Sequence, residues 1–298
     1  MSRSLKHYWN DQFTRMLRNF PYPIRRKIKE FPPMSAAGQQ SVVAVLCGPN
    51  QFLEGLWSLW SWMRHMNSFM GAVLLFDGKA TGEQQELFGK LFPDGQLLNL
   101  EEFLKARSLP DYLQRFVAGN WTAKKLAAVF ELQKEYNVLY SDSDVLVFQK
   151  PDEIIAAIER GHSAYLFDQF GYTVDPWLAT RAKQLEIPVT NQFNAGLVFV
   201  PKGEMKGPLL EAILSDWQPS FNSHHAEQTL FSILLNPREV RPLPQERYVL
   251  SWQGVWIFEK DLDCRQIVSR HYIGPLRHRM YLTAYPFIFK QIRSHPPH

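Results

Sequence analysis

Apolar residues in this chain fall into short continuous runs separated by longer stretches with helical spacing. Ser41-Val42-Val43-Ala44-Val45-Leu46-Cys47, Ala72-Val73-Leu74-Leu75-Phe76 and Leu97-Leu98-Asn99-Leu100 read as strands, the first buried on both faces. Leu53 to Met66 and Thr81 to Leu91, lying between them, repeat apolar residues every three or four positions and read as helices. Helical pieces interrupted at Pro110 follow, and Thr122 is placed to cap a helix from Ala123 to Glu135 with Leu126, Val129, Phe130 and Leu132 inward. That helix feeds Asn137-Val138-Leu139-Tyr140-Ser141-Asp142-Ser143-Asp144-Val145-Leu146-Val147-Phe148, two apolar runs with two aspartates between them. The alternation through residue 148 predicts an α/β fold with a mainly parallel, doubly wound sheet and right-handed crossovers.

The second half has a different texture. A short helix begins at Pro151-Asp152-Glu153, and strands are predicted at Ser163–Asp168 and Asn194–Val200. Helices follow over about 205–216 and 225–235, then a late strand from Arg265 to Tyr272 whose end carries His271, Gly274 and Pro275. An amphipathic piece runs from Tyr281 to Ile292.

Composition narrows the class. With 298 residues, 45% hydrophobic and 21% charged, the chain is globular and can bury the core of one large α/β domain or of two small ones. The two cysteines, Cys47 and Cys264, exclude a disulfide scaffold, show no zinc spacing and suit a reducing compartment. No apolar run reaches bilayer length and the N-terminus lacks a secretory h-region, so a cytoplasmic protein is expected. The formal charge is +4, but residues 1–38 hold eight Lys or Arg against Asp11 and Glu30. The basic character thus belongs to the leader, which gives little support for a nucleic-acid partner.

Within the leader, Leu5, Tyr8, Trp9, Phe13, Met16, Leu17 and Phe20 recur at helical spacing among basic residues. Such a helix packs its stripe on the body or lies peripherally on an anionic membrane surface; the first is favoured, with Pro21 and Pro23 limiting its length. The expected organisation is a basic extension (1–38), a main domain (39–280) and an amphipathic tail (281–298). Trp252 and Trp256 are assigned to the core.

Asp142 and Asp144 stand where one strand ends and the chain bends into the next, and ligands of open α/β sheets bind at strand carboxyl ends. Two carboxylates held this close repel unless a cation lies between them, and hard oxygen ligands favour Mg2+ or Mn2+. A solvated Asp-Ser turn is the plain alternative. Four landmarks in one order bear on that choice: Asp-Ser-Asp after a strand, Asn194-Ala195-Gly196 opening a strand, Glu227-Gln228 on a helix, and His271-Tyr272-Ile273-Gly274-Pro275 near the end.

That order resembles the metal-dependent GT-A glycosyltransferases, most closely the family of glycogenin and the lipopolysaccharide galactosyltransferases, over roughly residues 41 to 280. The resemblance implies a Rossmann-like, single-domain catalytic fold that binds a nucleotide-diphosphate sugar, a UDP-sugar first of all, and passes the sugar to a hydroxyl on a glycan, lipid or protein. It implies that Asp142, Asp144 and His271 ligate Mn2+ or Mg2+. Arg277 takes the place of a lysine on the diphosphate, Asn194, Ala195 and Gly196 line the donor sugar, and Glu227 and Gln228 face the reacting carbon and the acceptor. Asp168 matches a carboxylate on a donor hydroxyl and joins Glu227 and Gln228 as a catalytic candidate; Lys125, Cys47, Gly48 and Gly274 complete the donor-binding set. The chain departs from the family at Glu227, where an aspartate is usual, and at Arg277-His278-Arg279, where Lys-Pro-Trp is usual.

Two other functions are weighed. A nucleotidyltransferase of related fold would carry a basic, Gly-rich loop after the first strand, but Gly48-Pro49-Asn50-Gln51 has no Lys or Arg. A non-catalytic GT-A-like binding protein has no need of a complete metal set.

Overall fold

The structure, a computed structural model, describes residues 5–19, 23–36, 40–218, 223, 225–235 and 240–294. The leader opens with α1 (Leu5–Asn19) and the short α2 (Pro23–Arg26), which runs into a 3-10 turn over Lys27–Glu30. Phe20 and Pro21, the Leu5 side chain and residues 295–298 lie outside what is described.

The first half follows the predicted alternation: β1 (Ser41–Cys47), α3 (Phe52–Met66), β2 (Gly71–Phe76), α4 (Gly82–Leu91) and β3 (Gln96–Asn99). Then come α5 (Leu100–Ala106), α6 (Asp111–Gly119), α7 (Ala123–Leu132), β4 (Asn137–Asp142) and β5 (Val145–Val147). The second half contributes α8 (Asp152–Arg160), β6 (Ala164–Phe167), α9 (Pro176–Gln184), β7 (Phe193–Val200), α10 (Gly207–Leu214) and α11 (Ala226–Leu234). It closes with β8 (Arg241–Pro242), β9 (Tyr248–Val249), β10 (Ser269–His271) and α12 (Tyr285–Ser294), the last preceded by a π-helical turn over Met280–Ala284.

Seven strands form the main sheet in the order β3-β2-β1-β4-β7-β6-β8. β3, β2, β1 and β4 are parallel, whereas β7 runs antiparallel to both β4 and β6. The sheet is therefore mixed but mainly parallel, with helices on both faces. Successive β1 residues alternate between two cores, as strand geometry requires. Val43, Val45 and Cys47 face one cluster with α3 and α12, and Val42 and Ala44 face the other with α7 and α11.

A smaller sheet, β5-β10-β9, receives the chain after the aspartates. β10 is antiparallel to β5 with His271 opposite Val145, and Tyr272 N donates to Asp144 O at 2.8 Å. A residue late in the sequence is thereby registered against the Asp142–Asp144 corner.

Several local expectations are corrected. Thr122 does precede the helix, but its backbone is already αR and its hydroxyl caps nothing; Asn120 Oδ1 instead accepts from Thr122 N at 2.9 Å and from its hydroxyl at 2.5 Å. α7 stops at Leu132 and turns through Glu135. The late strand shrinks to Ser269–His271, because Asp263 and Arg265 close a turn on one another through backbone and guanidinium bonds. α9 was not predicted, although Asp175-Pro176 is a helix start: the Asp175 side chain accepts from Leu178 N at 2.8 Å. β8 and β9 are two-residue bridges without a readable pattern.

The leader meets the body through a buried carboxylate. Glu54 on α3, 2% exposed, accepts from Arg25 at 2.8 Å and from the Tyr281 hydroxyl at 2.6 Å, with Arg18 Nε 3.7 Å away. Leu17, Ile28 and Phe31 pack into the same cluster as Tyr285 and Ile288 of α12, so the leader and the tail close over one face together. The apolar stripe of α1 is nevertheless split, because Tyr8, Trp9 and Met16 remain exposed. Arg25→Ala would leave the buried Glu54 without its closest cation. It should cost about 2 kcal/mol and lower Tm by roughly 4 °C. Exposed Arg15→Ala should stay within about 0.5 kcal/mol. Equal effects in urea unfolding would remove Glu54 as the fastening point.

Candidate metal and substrate site

The site starts from α3. This helix is buried almost all round and carries two serines inward. Ser58 Oγ donates to Asp142 O at 3.1 Å, Trp62 Nε1 donates to Ser141 Oγ at 2.9 Å, and Ser61 Oγ accepts from Val147 N at 3.1 Å. These bonds fix the backbone on both sides of the corner. The β1–β4 register sets Leu46 beside Asp142, which brings Cys47 and Gly48 to the same edge.

Asp142, Asp144 and His271 each offer a ligand atom, and the three atoms lie within 4.8 Å of one another. His271 Nε2 is 3.1 Å from Asp144 Oδ1 and 3.7 Å from Asp142 Oδ2. Its Nδ1 lies 3.1 Å from Asn194 Oδ1, which also accepts from Gly196 N at 2.9 Å. Asn194 thus lets Nδ1–H donate backward and leaves Nε2 facing the carboxylates, the orientation a metal-binding imidazole needs. Asn194 reaches this place because β7 runs antiparallel to β4, so its first residues lie at the carboxyl end of β4. Two carboxylates and one imidazole nitrogen fit a hard divalent cation such as Mg2+ or Mn2+ and leave positions open for phosphate oxygens.

Cations surround the pair. Arg277 donates through Nε at 2.8 Å to Asp144 Oδ2, and its terminal nitrogen is 2.7 Å from the same oxygen. Burial would raise the Asp144 carboxyl, but the charges of Arg277 and His271 and hydrogen bonds from both outweigh it and hold it well below the ordinary range. Asp142 Oδ1 accepts from the Tyr140 hydroxyl at 2.7 Å, with Lys125 Nζ 3.7 Å away. Lys125 also lies 3.1 Å from Glu227 Oε1 and donates to Ala195 O at 3.3 Å. Desolvation lowers the Lys125 pKa, yet Asp142 and Glu227 more than compensate and raise it. Burial pushes Glu227 up to about 7; Lys125 opposes this and Asp142 adds to it.

The other expected residues assemble around these. Gln228 Oε1 accepts from Ala195 N at 3.4 Å. Asp168, just past β6, accepts from Phe170 N at 3.0 Å, and burial raises its carboxyl despite the backbone bonds it accepts. Gly274 has a left-handed φ of 34° at the start of a 3-10 turn. A cavity of about 610 Å³ is lined by Asp142, Asp144, Asp168, Asn194, Glu227 and Gln228, with His271, Gly274 and Arg277 closing one side. A second, of about 360 Å³, is lined by Cys47, Gly48, Asp77, Trp121, Lys125 and Tyr140. The two share Thr122, Asp142, Asp144 and Arg277, so the acidic corner stands between them.

Some residues were missed or misassigned. Tyr140 could have been found, since it lies two positions before Asp142 on the same strand face. Phe170, Tyr172 and Trp252 line the larger cavity from loops that carry no periodic signal. Trp252 is not core: it is 38% exposed at the cavity rim. Arg279, which stands where the resembled family has Trp, is buried and donates to Gly254 O, Trp256 O and Glu259 O at 2.8, 2.7 and 2.7 Å. It fastens a loop and does not face the cavity.

Neither a family profile nor a curated protein sequence matches the chain. Among solved structures, the bifunctional glycosyltransferase WbbM is similar with a TM-score of 0.54 and 15% identity, over 88% of this chain and 53% of that one. The chain thus spans about half the length of WbbM. Mouse xyloside xylosyltransferase 1 (TM-score 0.49, 11% identity, 78% of this chain and 97% of that) is also similar. So is the galactosyltransferase LgtC solved with donor and acceptor sugar analogues (TM-score 0.45, 14% identity, 78% and 87%). The fold is that of the GT-A glycosyltransferases.

Two outcomes follow from the geometry. A Cβ at Gly196 would overlap His271 Cε1 and lie 2.6 Å from its Nδ1 and 2.8 Å from Asn194 Oδ1. Gly196→Ala should therefore displace the imidazole and weaken Mn2+ binding, read by calorimetry, by about tenfold or more. Unchanged affinity would separate His271 from the metal site. For Glu227, the folded pKa of about 7 lies above the ordinary value of 4.5, so the ionised form costs stability above pH 7 and that cost fades as pH falls toward 4.5. In metal-free buffer, Glu227→Gln should raise Tm relative to wild type more at pH 8 than at pH 5. A pH-independent difference would place the carboxyl in an ordinary environment.

Proposed function

We propose that this chain is a metal-dependent glycosyltransferase that moves a sugar from a nucleoside diphosphate donor, with UDP-sugars first among candidates, to a hydroxyl acceptor. The observation that carries this reading is the position of Asp142 and Asp144 between two cavities, with His271 facing both carboxylates from the larger one. A diphosphate at that corner would project its nucleoside toward Cys47, Gly48 and Tyr140 and its sugar toward Asp168, Asn194 and Gln228. The catalytic unit is residues 39–280, on which the leader and tail pack.

In this reading Asp142, Asp144 and His271 hold Mn2+ or Mg2+, which when bound supplies Lewis-acid stabilisation of the departing diphosphate. Arg277, whose planar fork suits phosphate oxygens, exchanges part of its contact with Asp144 for the diphosphate and adds a second positive pole. Asn194 orients His271 and, with Ala195 and Gly196, forms the wall beneath the donor sugar. Asp168 grips a sugar hydroxyl. Lys125 holds Glu227 and Asp142 apart while compensating both. The acceptor oxygen bonds to the anomeric carbon as the bond from that carbon to the diphosphate breaks, and the electron pair leaves with the nucleoside diphosphate. Glu227, poised near neutrality, takes the acceptor proton, and Gln228 positions the reacting carbon.

The test is a thermal shift with UDP, with and without Mn2+, on wild type and Asp144→Asn. At a hundred times the dissociation constant, stabilisation should be about 2.7 kcal/mol, a rise of several degrees that needs both components and disappears in the variant. No response to UDP or to any other nucleoside diphosphate would remove the donor reading and leave the aspartates as a structural ion-paired corner.

A further inference from the structure

Phe170 and Trp252 stand at the rim of the larger cavity, 53% and 38% exposed. Their ring centroids are 6.1 Å apart and their planes are inclined by 52°, a tilted aromatic contact made at the surface and not in the core. Both come from loops that the fold fastens. Gln169 Nε2 donates to Leu250 O at 3.1 Å, which ties one loop to the other. Asp168 accepts from Phe170 N, and Gly171 N donates to Asp168 O at 3.1 Å with φ at 68°, which sets the turn under the Phe170 ring. Beyond Trp252, buried Arg270 ion-pairs with Asp261 and donates to Gln253 O, while Arg279 donates to Gly254 O at 2.8 Å. Two buried arginines spent on a loop that presents a half-exposed indole indicate a surface built to be occupied.

The charges around this rim limit the occupant. Asp168, Glu227, Asp142 and Asp144 supply the acids of the cavity. Among the described lining residues, Arg277 is the one arginine and there is no lysine, and Arg277 is bound to Asp144. Of the two lining histidines, His271 faces the same aspartates, and His225 packs its ring 5.3 Å from that of Tyr172. A phosphorylated or carboxylated acceptor entering past Phe170 and Trp252 would meet carboxylates whose neighbouring cations, Arg277 and Lys125, are already engaged with them. A pyranose ring presents an apolar C–H face to an aromatic plane and a rim of hydroxyls to groups such as Asp168.

We propose that Phe170 and Trp252 are the acceptor platform and that the acceptor is a neutral pyranoside, stacked through its C–H face and not an anionic lipid or peptide. This rests on the glycosyltransferase reading, since it names the second substrate of that same site. Both residues are specificity determinants for the acceptor and leave the donor pole untouched.

The experiment is saturation-transfer difference NMR with UDP and Mg2+ present. The probes are methyl glycosides of glucose, galactose, mannose and N-acetylglucosamine, and the 6-phosphates of the same sugars. Calorimetric titration of UDP with Mg2+ runs in parallel on wild type, Trp252→Ala, Trp252→Phe and Phe170→Ala. The expected result is transfer to ring C–H protons of at least one neutral glycoside, with affinity reduced about tenfold in each alanine variant. Trp252→Phe should recover part of that affinity, and UDP affinity should be equal in all four proteins, which also reports that they fold. The proposal is overturned if wild type binds UDP but no neutral glycoside, if the alanine variants bind the glycoside as wild type does, or if a 6-phosphate binds more tightly than its neutral parent. Failure of wild type to bind UDP with Mg2+ is a different result: it removes the donor reading, and the platform falls with it.

Discussion

The structure is organised around the repulsion between two carboxylates. Asp142 and Asp144 are one residue apart at the end of a buried strand, and folding brings Arg277, His271 and Lys125 around them. Each comes from a different part of the chain: Lys125 from the helix before the strand, His271 from the small sheet, and Arg277 from the turn after it. Without added positive charge, the cost of burying Asp144 would fall on the fold as a whole. Arg277 and Lys125 offset the two charges, and His271 turns Nε2 toward them, so three potential ligand atoms stay within 4.8 Å of one another.

A second level of design is the rigidity of the walls. α3 reaches the acidic corner with Ser58, Ser61 and Trp62, and every one of these contacts goes to backbone or to a neighbouring serine of that corner. The aspartate side chains are thereby left free for other partners, while their backbone is fixed. Gly196 plays the complementary part by lacking a side chain where the imidazole must approach.

Much of the first half was legible because parallel strands buried on both faces write themselves as apolar runs, and amphipathic helices as a 3.6-residue period. β1, α3, β2, α4 and β3 fall close to where the pattern puts them. The acidic pair, Asn194, Glu227, Gln228 and His271 were legible as landmarks in order, and all line the larger cavity. What escaped were features that exist only after folding. Asn120 replaces Thr122 as the cap because a turn brings its oxygen back to two donors. Tyr140 reads as strand core until its hydroxyl is seen to reach Asp142. Phe170 and Trp252 sit on irregular loops whose conformation is dictated by distant partners, Leu250 O for one and two buried arginines for the other. Arg279 stood in the sequence only as a departure from Lys-Pro-Trp and is in fact a buried strut.

The bond from Arg277 to Asp144 joins residues separated by 133 positions, and that from Tyr281 to Glu54 joins residues separated by 227. Contacts of such span form after the local ones during folding, because closing a long loop costs entropy before any contact rewards it. A chain emerging from the ribosome can complete the β1-to-β4 layer long before it holds the groups that make the acidic corner tolerable. The corner is therefore completed from the far end of the chain: the parallel layer and Lys125 lie within residues 41–142, whereas Arg277 and His271 are supplied more than 120 residues later.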